Sequence, residues 1–146
     1  MDVMQKFLDE DTNTERRNDE VIKPEDKLGH DEPRKRILVD FDGVCHAYSQ
    51  GYGDGTIYDP PAPGTKEALQ LLSEKYVLVC FSARINAGDE HGKEEMIEWL
   101  DKYDLHRFFS DITDQKVPSL LIIDDSAIRH STWETTLSEM RKLNML

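Results

Sequence analysis

The chain has 146 residues, of which 38% are hydrophobic and 33% charged, and its formal net charge is −12. This length suits one domain with its own core, and no apolar run approaches the roughly 18 residues of a membrane span. The acidic charge disfavours an extended nucleic-acid surface, which needs Lys and Arg to displace counterions, but it leaves a nucleotide or a nucleic-acid end open. The acidic start of the chain, with no apolar segment after it, lacks a signal-peptide pattern and predicts a cytoplasmic protein.

Residues 1–34 differ in composition from the rest of the chain. They are dense in Asp, Glu, Lys, Arg and Asn and poor in aliphatic side chains. Such a segment buries too little apolar surface to offset its ordering entropy, so its composition predicts a flexible N-terminal segment. The predicted folded domain covers residues 35–146.

The first strand pattern of this domain ends in two acidic residues. Residues 37–39 are consecutive aliphatics, as in a parallel strand covered on both faces, and Asp40, Asp42 and Gly43 follow. Side chains two apart on an extended chain point to the same side, so both carboxylates lie at a strand end, where open α/β sheets bind ligands. Such a pair needs a cation or a shared proton, and Mg²⁺ suits oxygen ligands. A solvated turn is the alternative, and Gly43 suits a sharp turn in either case.

A long loop rich in Gly, Tyr and Pro follows, over residues 45–63. Tyr48 and Tyr52 in this loop either cover a substrate or pack the loop on itself, and the sequence favours neither. His46 is interpreted as a loop residue rather than a catalyst. The glycines give the loop mobility, which makes it a candidate lid over a site.

The remaining chain alternates between helical and strand patterns. Further strand patterns lie at residues 76–81, 108–109 and 120–123. One helical pattern begins near residue 65, and a second carries apolar side chains over residues 96–100. A third begins at a capping-box sequence over residues 131–134. Strands that alternate with helices predict a doubly wound parallel sheet.

Polar residues stand at the ends of three of these strands. They are Asp40 and Asp42, then Ser82, and then Asp124 and Asp125, with Lys116 just ahead of the last strand. Right-handed crossovers bring such strand ends to one edge of a sheet. Four carboxylates, a hydroxyl and an ammonium are costly for stability alone, but they suit phosphoryl transfer.

In this order the motifs resemble those of the haloacid dehalogenase superfamily of phosphatases. That superfamily has Asp-x-Asp after strand one, Ser or Thr after strand two, and Lys or Arg before strand four with an acidic pair after it. The resemblance covers about residues 36–130. It is closer still to short phage and bacterial members, whose shared motifs match residues 40–46, 60–64, 82–84, 116–118 and 123–125.

The resemblance implies a role for each catalytic residue. Asp40 would attack phosphorus to give an aspartyl-phosphate, and Asp42 would protonate the leaving group and then activate water. Ser82 would bind the transferring phosphoryl oxygens, and Lys116 would neutralise charge on Asp40 and the phosphoryl group.

The resemblance also implies a Mg²⁺ site and substrate contacts. The metal would be held by Asp40, the backbone carbonyl of Asp42 and Asp124. Asp125 would complete the metal site by holding a metal-bound water, or it would hold Lys116. Gly43 and Arg84 would contact the substrate. For Arg84 a second interpretation stays open, in which it pairs with a nearby Asp or Glu.

The implied fold is the three-layer, doubly wound parallel sheet of this superfamily, a Rossmann-like fold without a cap domain. The gap after Asp42 and the gap between Ser82 and Lys116 are both too short to hold a cap. An open site implies a large substrate, a mobile loop as lid, or closure by a second subunit.

The function expected from the resemblance is Mg²⁺-dependent phosphate-ester hydrolysis through an aspartyl-phosphate. The substrate would be a phosphorylated small molecule, with a nucleotide or a nucleic-acid terminal phosphate favoured. The alternative is a phosphate-binding or protein-interaction module that kept the fold without turnover. A receiver domain of a signalling relay is rejected, because there the acidic pair comes first and the phosphorylated Asp later.

Overall fold

A computed structural model describes residues 35–87 and 91–146. Its strands are β1 (Arg36–Asp40), β2 (Val77–Phe81), β3 (Phe109–Thr113) and β4 (Leu121–Ile123). Its α-helices are α1 (Thr65–Ser73), α2 (Gly92–Lys102) and α3 (Trp133–Lys142), and 3₁₀ turns cover Ala83–Asn86 and His106–Phe108. The segment predicted to be flexible, residues 1–34, lies outside the described residues.

The four strands form one parallel sheet in the order β3-β2-β1-β4. In the central pairing, Asp40 at the end of β1 lies opposite Phe81 at the end of β2. On the other side of β1, Val39 pairs with Ile123, which ends β4. The predicted parallel α/β sheet is confirmed, and the residues that follow β1, β2 and β4 emerge at the same edge.

The core lies on the sheet face covered by α1 and α2. Alternate strand residues point to this face, and both helices contribute apolar side chains to the same cluster. Its main members are Ile37, Val39, Leu78, Cys80, Leu69, Leu72, Met96, Trp99 and Leu100. Each fully buried side chain of this size contributes about 1.5–3 kcal/mol relative to exposure. The crossovers from β1 to β2 and from β2 to β3 step in one direction, so right-handed connections put both helices on one face.

The connection from β3 to β4 differs from the other two. It consists of residues 114–120 and contains no helix. The last helix, α3, has no buried residue, and the Trp133 side chain at its start is 71% exposed. Among the described residues one helical layer therefore packs on the sheet, and the predicted three-layer, doubly wound arrangement stays a proposal.

The start of α3 differs from its prediction by one residue. The N-cap is Thr132, whose Oγ1 accepts from the Thr135 N–H at 3.2 Å, while the Thr132 N–H donates to Thr135 Oγ1 at 3.3 Å. The sequence pattern predicts a capping box over residues 131–134. Thr135 replaces the expected Glu134 because its hydroxyl reaches the cap from the third helical position. No helix in the described ranges is long and apolar enough to cross a membrane.

Candidate active site

The ends of β1, β2 and β4 surround a cleft of about 400 Å³. Of the residues selected from the sequence, the cleft is lined by Asp40, Asp42, Ser82, Arg84 and Asp125. The loop after β1 adds two aromatic side chains to the lining, Tyr48 and Tyr52. The strand register thus brings together side chains that are up to 85 positions apart, from position 40 to position 125.

Three carboxylates form a cluster at this edge of the sheet. One oxygen from each of Asp40, Asp124 and Asp125 lies within 4.8 Å of the others. Burial, then the charge of Asp124 and a hydrogen bond with Asp125, raise the pKa of Asp40 to about 7. A divalent cation would relieve this repulsion, and carboxylate oxygens are the ligands that Mg²⁺ takes. The donor set of this carboxylate cluster therefore fits the implied metal.

A tight turn after β4 orients one member of the carboxylate cluster. Asp124 Oδ1 accepts from the Ser126 N–H at 2.8 Å and from the Ser126 hydroxyl at 3.1 Å. The carboxylate is thereby held against its own turn, and its other oxygen is left for a ligand. Such prior orientation lowers the entropy cost of binding a cation.

Gly43 lets two chain segments approach more closely than any other residue would. Its φ angle is +85°, and a Cβ at this position would lie 2.2 Å from Asp125 Oδ2. The turn around it is held by the Phe41 carbonyl, which accepts from the amides of Cys45 at 3.0 Å and His46 at 2.9 Å. Glycine is required here for its conformation and its lack of a side chain. The predicted substrate contact of Gly43 stays a prediction.

Asp42 is held by Arg84 through two hydrogen bonds. Arg84 Nε donates to Asp42 Oδ2 and Nη2 donates to Oδ1, each at 2.9 Å. The Arg84 side chain is 3% exposed and the Asp42 side chain is 16% exposed. The third nitrogen of the guanidinium, Arg84 Nη1, donates to the Gly55 carbonyl. Of the two interpretations of Arg84, pairing with a neighbouring carboxylate is therefore observed. Its contact with a substrate stays a prediction.

The sequence interpretation missed the contribution of His46. This loop residue is fully buried, and its Nδ1 lies 2.8 Å from Asp42 Oδ1. On the other side of the ring, Nε2 accepts from the Asp59 N–H at 3.1 Å. Four aromatic rings surround the imidazole: Phe41, Tyr48, Tyr58 and Trp99. The available sequence signal was the short spacing between Asp42 and His46 in the shared opening motif.

Ser82 lies where the prediction put it, directly after β2. It is 2% exposed, and its Oγ accepts from the Arg84 N–H at 3.1 Å as the N-cap of the 3₁₀ turn. Its own N–H donates to the Thr113 carbonyl at 3.0 Å. These bonds fix the hydroxyl at the cleft wall.

Lys116 is not brought into the cleft. It is exposed in the loop after β3, and among the described residues it makes no hydrogen bond or ion pair. Among the described strands, β3 lies at one edge of the sheet and is separated from β1 by β2, so this loop starts about 10 Å to the side of Asp40. Its predicted role in neutralising Asp40 stays a prediction.

The candidate lid, residues 45–63, is tied down at several points. Its base is closed by the Ala62 N–H, which donates to the Cys45 carbonyl at 2.8 Å. Inside it the Tyr58 hydroxyl donates to the Gly51 carbonyl at 2.8 Å, so this tyrosine packs the loop on itself. The Tyr52 hydroxyl donates to the Ala87 carbonyl, which bridges the loop to the segment after β2. The lid role stays a prediction.

Comparisons of the chain with protein-family models, with curated proteins and with solved structures found no match. The family suggested by the motif order is therefore a proposal. The function has to be argued from the geometry of the cleft and the chemistry of its side chains.

Proposed function

We propose that the protein is a capless member of the haloacid dehalogenase superfamily that hydrolyses phosphate monoesters with Mg²⁺. The observation that carries the proposal is the carboxylate cluster of Asp40, Asp124 and Asp125 within 4.8 Å, next to an anchored Asp42. The parallel strand order β3-β2-β1-β4 supports the Rossmann-like fold of that superfamily. The three-layer, doubly wound arrangement is part of the proposal. The short connections after β1 and β2 support the lack of a cap.

The first step is transfer of the phosphoryl group to the protein. Asp40 attacks phosphorus and forms an O–P bond while the ester O–P bond breaks, and Asp42 gives its proton to the leaving oxygen. Ser82 donates a hydrogen bond to a phosphoryl oxygen. When bound by the carboxylate cluster, Mg²⁺ supplies positive charge that offsets the repulsion between a carboxylate and a phosphate dianion.

The second step returns the protein to its starting state. Asp42, now ionised, takes a proton from water as that water attacks the phosphorus of the aspartyl-phosphate. The bond between phosphorus and Asp40 breaks, and inorganic phosphate leaves with the proton balance restored. One carboxyl thus acts first as acid and then as base.

Arg84 connects substrate binding to the position of Asp42. In the observed pair, Arg84 Nε donates to Asp42 Oδ2 and Nη2 donates to Oδ1. Because Arg84 lines the same cleft, an incoming phosphate dianion competes for the guanidinium. Transfer of these donors to the phosphate would release Asp42 Oδ2 to face the leaving group.

The cleft lining favours a substrate with a planar group beside the phosphate. Tyr48 and Tyr52 line the cleft, and aromatic faces stack on nucleobases. Desolvation, then the charge of Asp42, raises the pKa of Tyr48, so its hydroxyl stays protonated as a hydrogen-bond donor. A nucleotide or a nucleic-acid terminal phosphate is therefore the favoured substrate class. The proposal includes closure of the open site by a second subunit. Gel filtration can check this part, because it measures the oligomeric state of the protein.

Phosphate release from a substrate panel tests the proposal. The panel holds nucleotides, 3′- and 5′-phosphorylated oligonucleotides and sugar phosphates, each assayed with Mg²⁺ and with chelator. Asp40→Asn is compared with wild type, and Glu98→Gln, an exposed position on α2, serves as the matched charge-removal control. We expect release that requires Mg²⁺, survives Glu98→Gln and disappears in Asp40→Asn. A folded wild-type protein that releases phosphate from no compound would contradict the proposal.

Two observations favour the alternative of a phosphate-binding module without turnover. Asp42 is fully engaged by Arg84 and His46, and Lys116 lies outside the cleft. Titration of the protein with inorganic phosphate, followed by calorimetry with and without Mg²⁺, separates the candidates. Saturable binding in a protein that turns over no panel compound would favour the binding module.

A further inference from the structure

We propose that His46 is a positioning residue that fixes Asp42 Oδ1, so that Asp42 Oδ2 is the atom that exchanges the proton with substrate and water. The inference rests on the proposed function, because it assigns one contact within that reaction. The shared motifs include His46, but neither they nor the catalytic roles proposed above assign a function to its side chain. The argument begins from the two hydrogen bonds of the imidazole.

These hydrogen bonds define the tautomer of His46. A backbone N–H can only donate, so the Asp59 N–H at 3.1 Å makes Nε2 an acceptor without its own hydrogen. The ring proton of a neutral imidazole then sits on Nδ1, which donates to Asp42 Oδ1 at 2.8 Å. The Asp59 peptide is fixed in turn, because its carbonyl accepts from Trp99 Nε1 at 3.0 Å.

The packing prevents the imidazole from turning away from Asp42. The ring is fully buried, and its centroid lies 5.1–5.9 Å from those of four aromatic rings. The backbone of His46 is also fixed, since it forms bridges with Asp42 on one side and Pro61 on the other. A flip would break both ring hydrogen bonds and the surrounding contacts, so Asp42 Oδ1 always meets the same donor.

The two partners of Asp42 differ in what they can do during the reaction. Arg84 lines the cleft and can exchange its carboxylate contact for a phosphate. His46 does not line the cleft and is fully buried, so a substrate does not compete for its Nδ1 and its bond to Oδ1 persists when Arg84 moves. Oδ2, which Arg84 Nε then releases, becomes the free oxygen that faces the leaving group.

The leaving group of the substrate reports on this role directly. An alkyl phosphate needs a proton on its departing oxygen, whereas 4-nitrophenolate departs without one. We compare kcat/KM for both esters because that ratio reports the first phosphoryl transfer. The variants are His46→Phe, which keeps a planar ring but removes the donor, and His46→Asn, which retains an N–H close to the position of Nδ1.

We expect His46→Phe to lower kcat/KM for the alkyl phosphate by about tenfold or more, a part of the ~10²–10⁴-fold effect of general acid catalysis. For 4-nitrophenyl phosphate we expect less than about a threefold loss, and His46→Asn should recover most of the alkyl ester activity. Equal losses on both esters, or no recovery in His46→Asn, would overturn the role of His46. No turnover of either ester by wild type would instead overturn the proposed function together with this role.

A measurement on the wild-type protein keeps the inference testable if His46→Phe does not fold. Long-range ¹H–¹⁵N NMR spectra distinguish a protonated ring nitrogen from an unprotonated one in the metal-free full-length chain. We expect one of the five histidines, identified by its loss in His46→Asn, to show a protonated Nδ1 and an unprotonated Nε2. A protonated Nε2 on that ring would overturn the inference whether or not the protein is active.

Discussion

Asp42 and Arg84 share two parallel hydrogen bonds of 2.9 Å although they are 42 positions apart in the chain. The pair links the turn after β1 to the 3₁₀ turn after β2 at the point where the cleft opens. Both side chains are largely withdrawn from water, so each charge depends on the other for its solvation. The stability of the fold and the chemistry of the cleft are therefore coupled through one ion pair.

Removal of one partner should destabilise the protein much more than removal of a surface ion pair. We expect Arg84→Met to lower the free energy of unfolding by about 3–5 kcal/mol, because it leaves a largely buried carboxylate without its cationic partner and with the His46 hydrogen bond alone. The matched control is Lys66→Met, whose ion pair with Asp104 is 45% and 56% exposed and should contribute less than about 1 kcal/mol. Urea unfolding of both variants checks this.

A double-mutant cycle separates the ion pair from other effects of the Arg84 substitution. Asp42→Asn combined with Arg84→Met should cost less than the sum of the single substitutions, because the unpaired charge has been removed. Strict additivity of the two losses would contradict the coupling.

Substitution of Gly43 should damage the metal site as well as the fold. In Gly43→Ala the added Cβ meets Asp125 Oδ2 at 2.2 Å, and the φ angle of +85° is unfavourable for alanine. We expect weaker Mg²⁺ binding by calorimetry and a loss of stability greater than the ~1–2 kcal/mol of backbone strain alone. Gly51→Ala is the control, since φ is +72° but no atom lies within 4 Å of its added Cβ. Equal effects of the two substitutions would contradict the close approach.

The raised pKa of Asp40 predicts that the metal-free protein loses stability as pH rises. The pKa of Asp40 is about 7 in the folded chain and near 3.8 in the unfolded chain, so the folded state binds more protons between these values. The free energy of unfolding should therefore fall between about pH 4 and pH 7. Since the group is partly exposed, the expected loss is on the order of 1 kcal/mol.

Urea unfolding at pH 5 and pH 8 with chelator measures this dependence. Asp40→Asn should show a smaller decrease than wild type, and added Mg²⁺ should restore wild-type stability at pH 8. If the free energy of unfolding fell equally with pH in wild type and in Asp40→Asn, the ionisation of Asp40 would not be the cause of the decrease.

The strand ends could be predicted from sequence because their signal is local. The aliphatic run over residues 37–39 and the polar residues that follow β1, β2 and β4 need only strand geometry and the parallel arrangement to meet. The burial of His46 could not be read in this way. It depends on Trp99 and Tyr58, which reach the imidazole only after α2 and the loop have packed.

The position of Lys116 shows a second limit of sequence reasoning. A motif order fixes which strand a residue follows or precedes, but the sideways position of a loop depends on the strand order. Here Lys116 lies in the loop after an edge strand, and the connection to β4 contains no helix that would carry it toward β1. The alternatives for Arg84 likewise needed three-dimensional contacts, because Asp42 is distant in sequence.

If the substrate carries a nucleobase, the ring of Tyr52 should contribute to its binding. Tyr52 is 39% exposed and lines the cleft. We expect Tyr52→Ala to raise KM for a nucleotide about tenfold, which corresponds to the ~1–3 kcal/mol of one stacking contact, with little change in KM for an alkyl phosphate. Tyr52→Phe keeps the ring and should retain nucleotide binding. A similar rise in KM for both substrates would contradict stacking.

Two of the three carboxylates in the cluster follow the shortest strand of the sheet. β4 has only three residues, all half-buried, and among the described strands it pairs only with β1. An edge strand of this length is the first part of a sheet to open in local fluctuations. A cation bound by Asp40, Asp124 and Asp125 would therefore link β4 to β1 and oppose this local opening. Amide hydrogen exchange at residues 121–123 should slow when Mg²⁺ is added, while exchange in the centre of β2 stays the same.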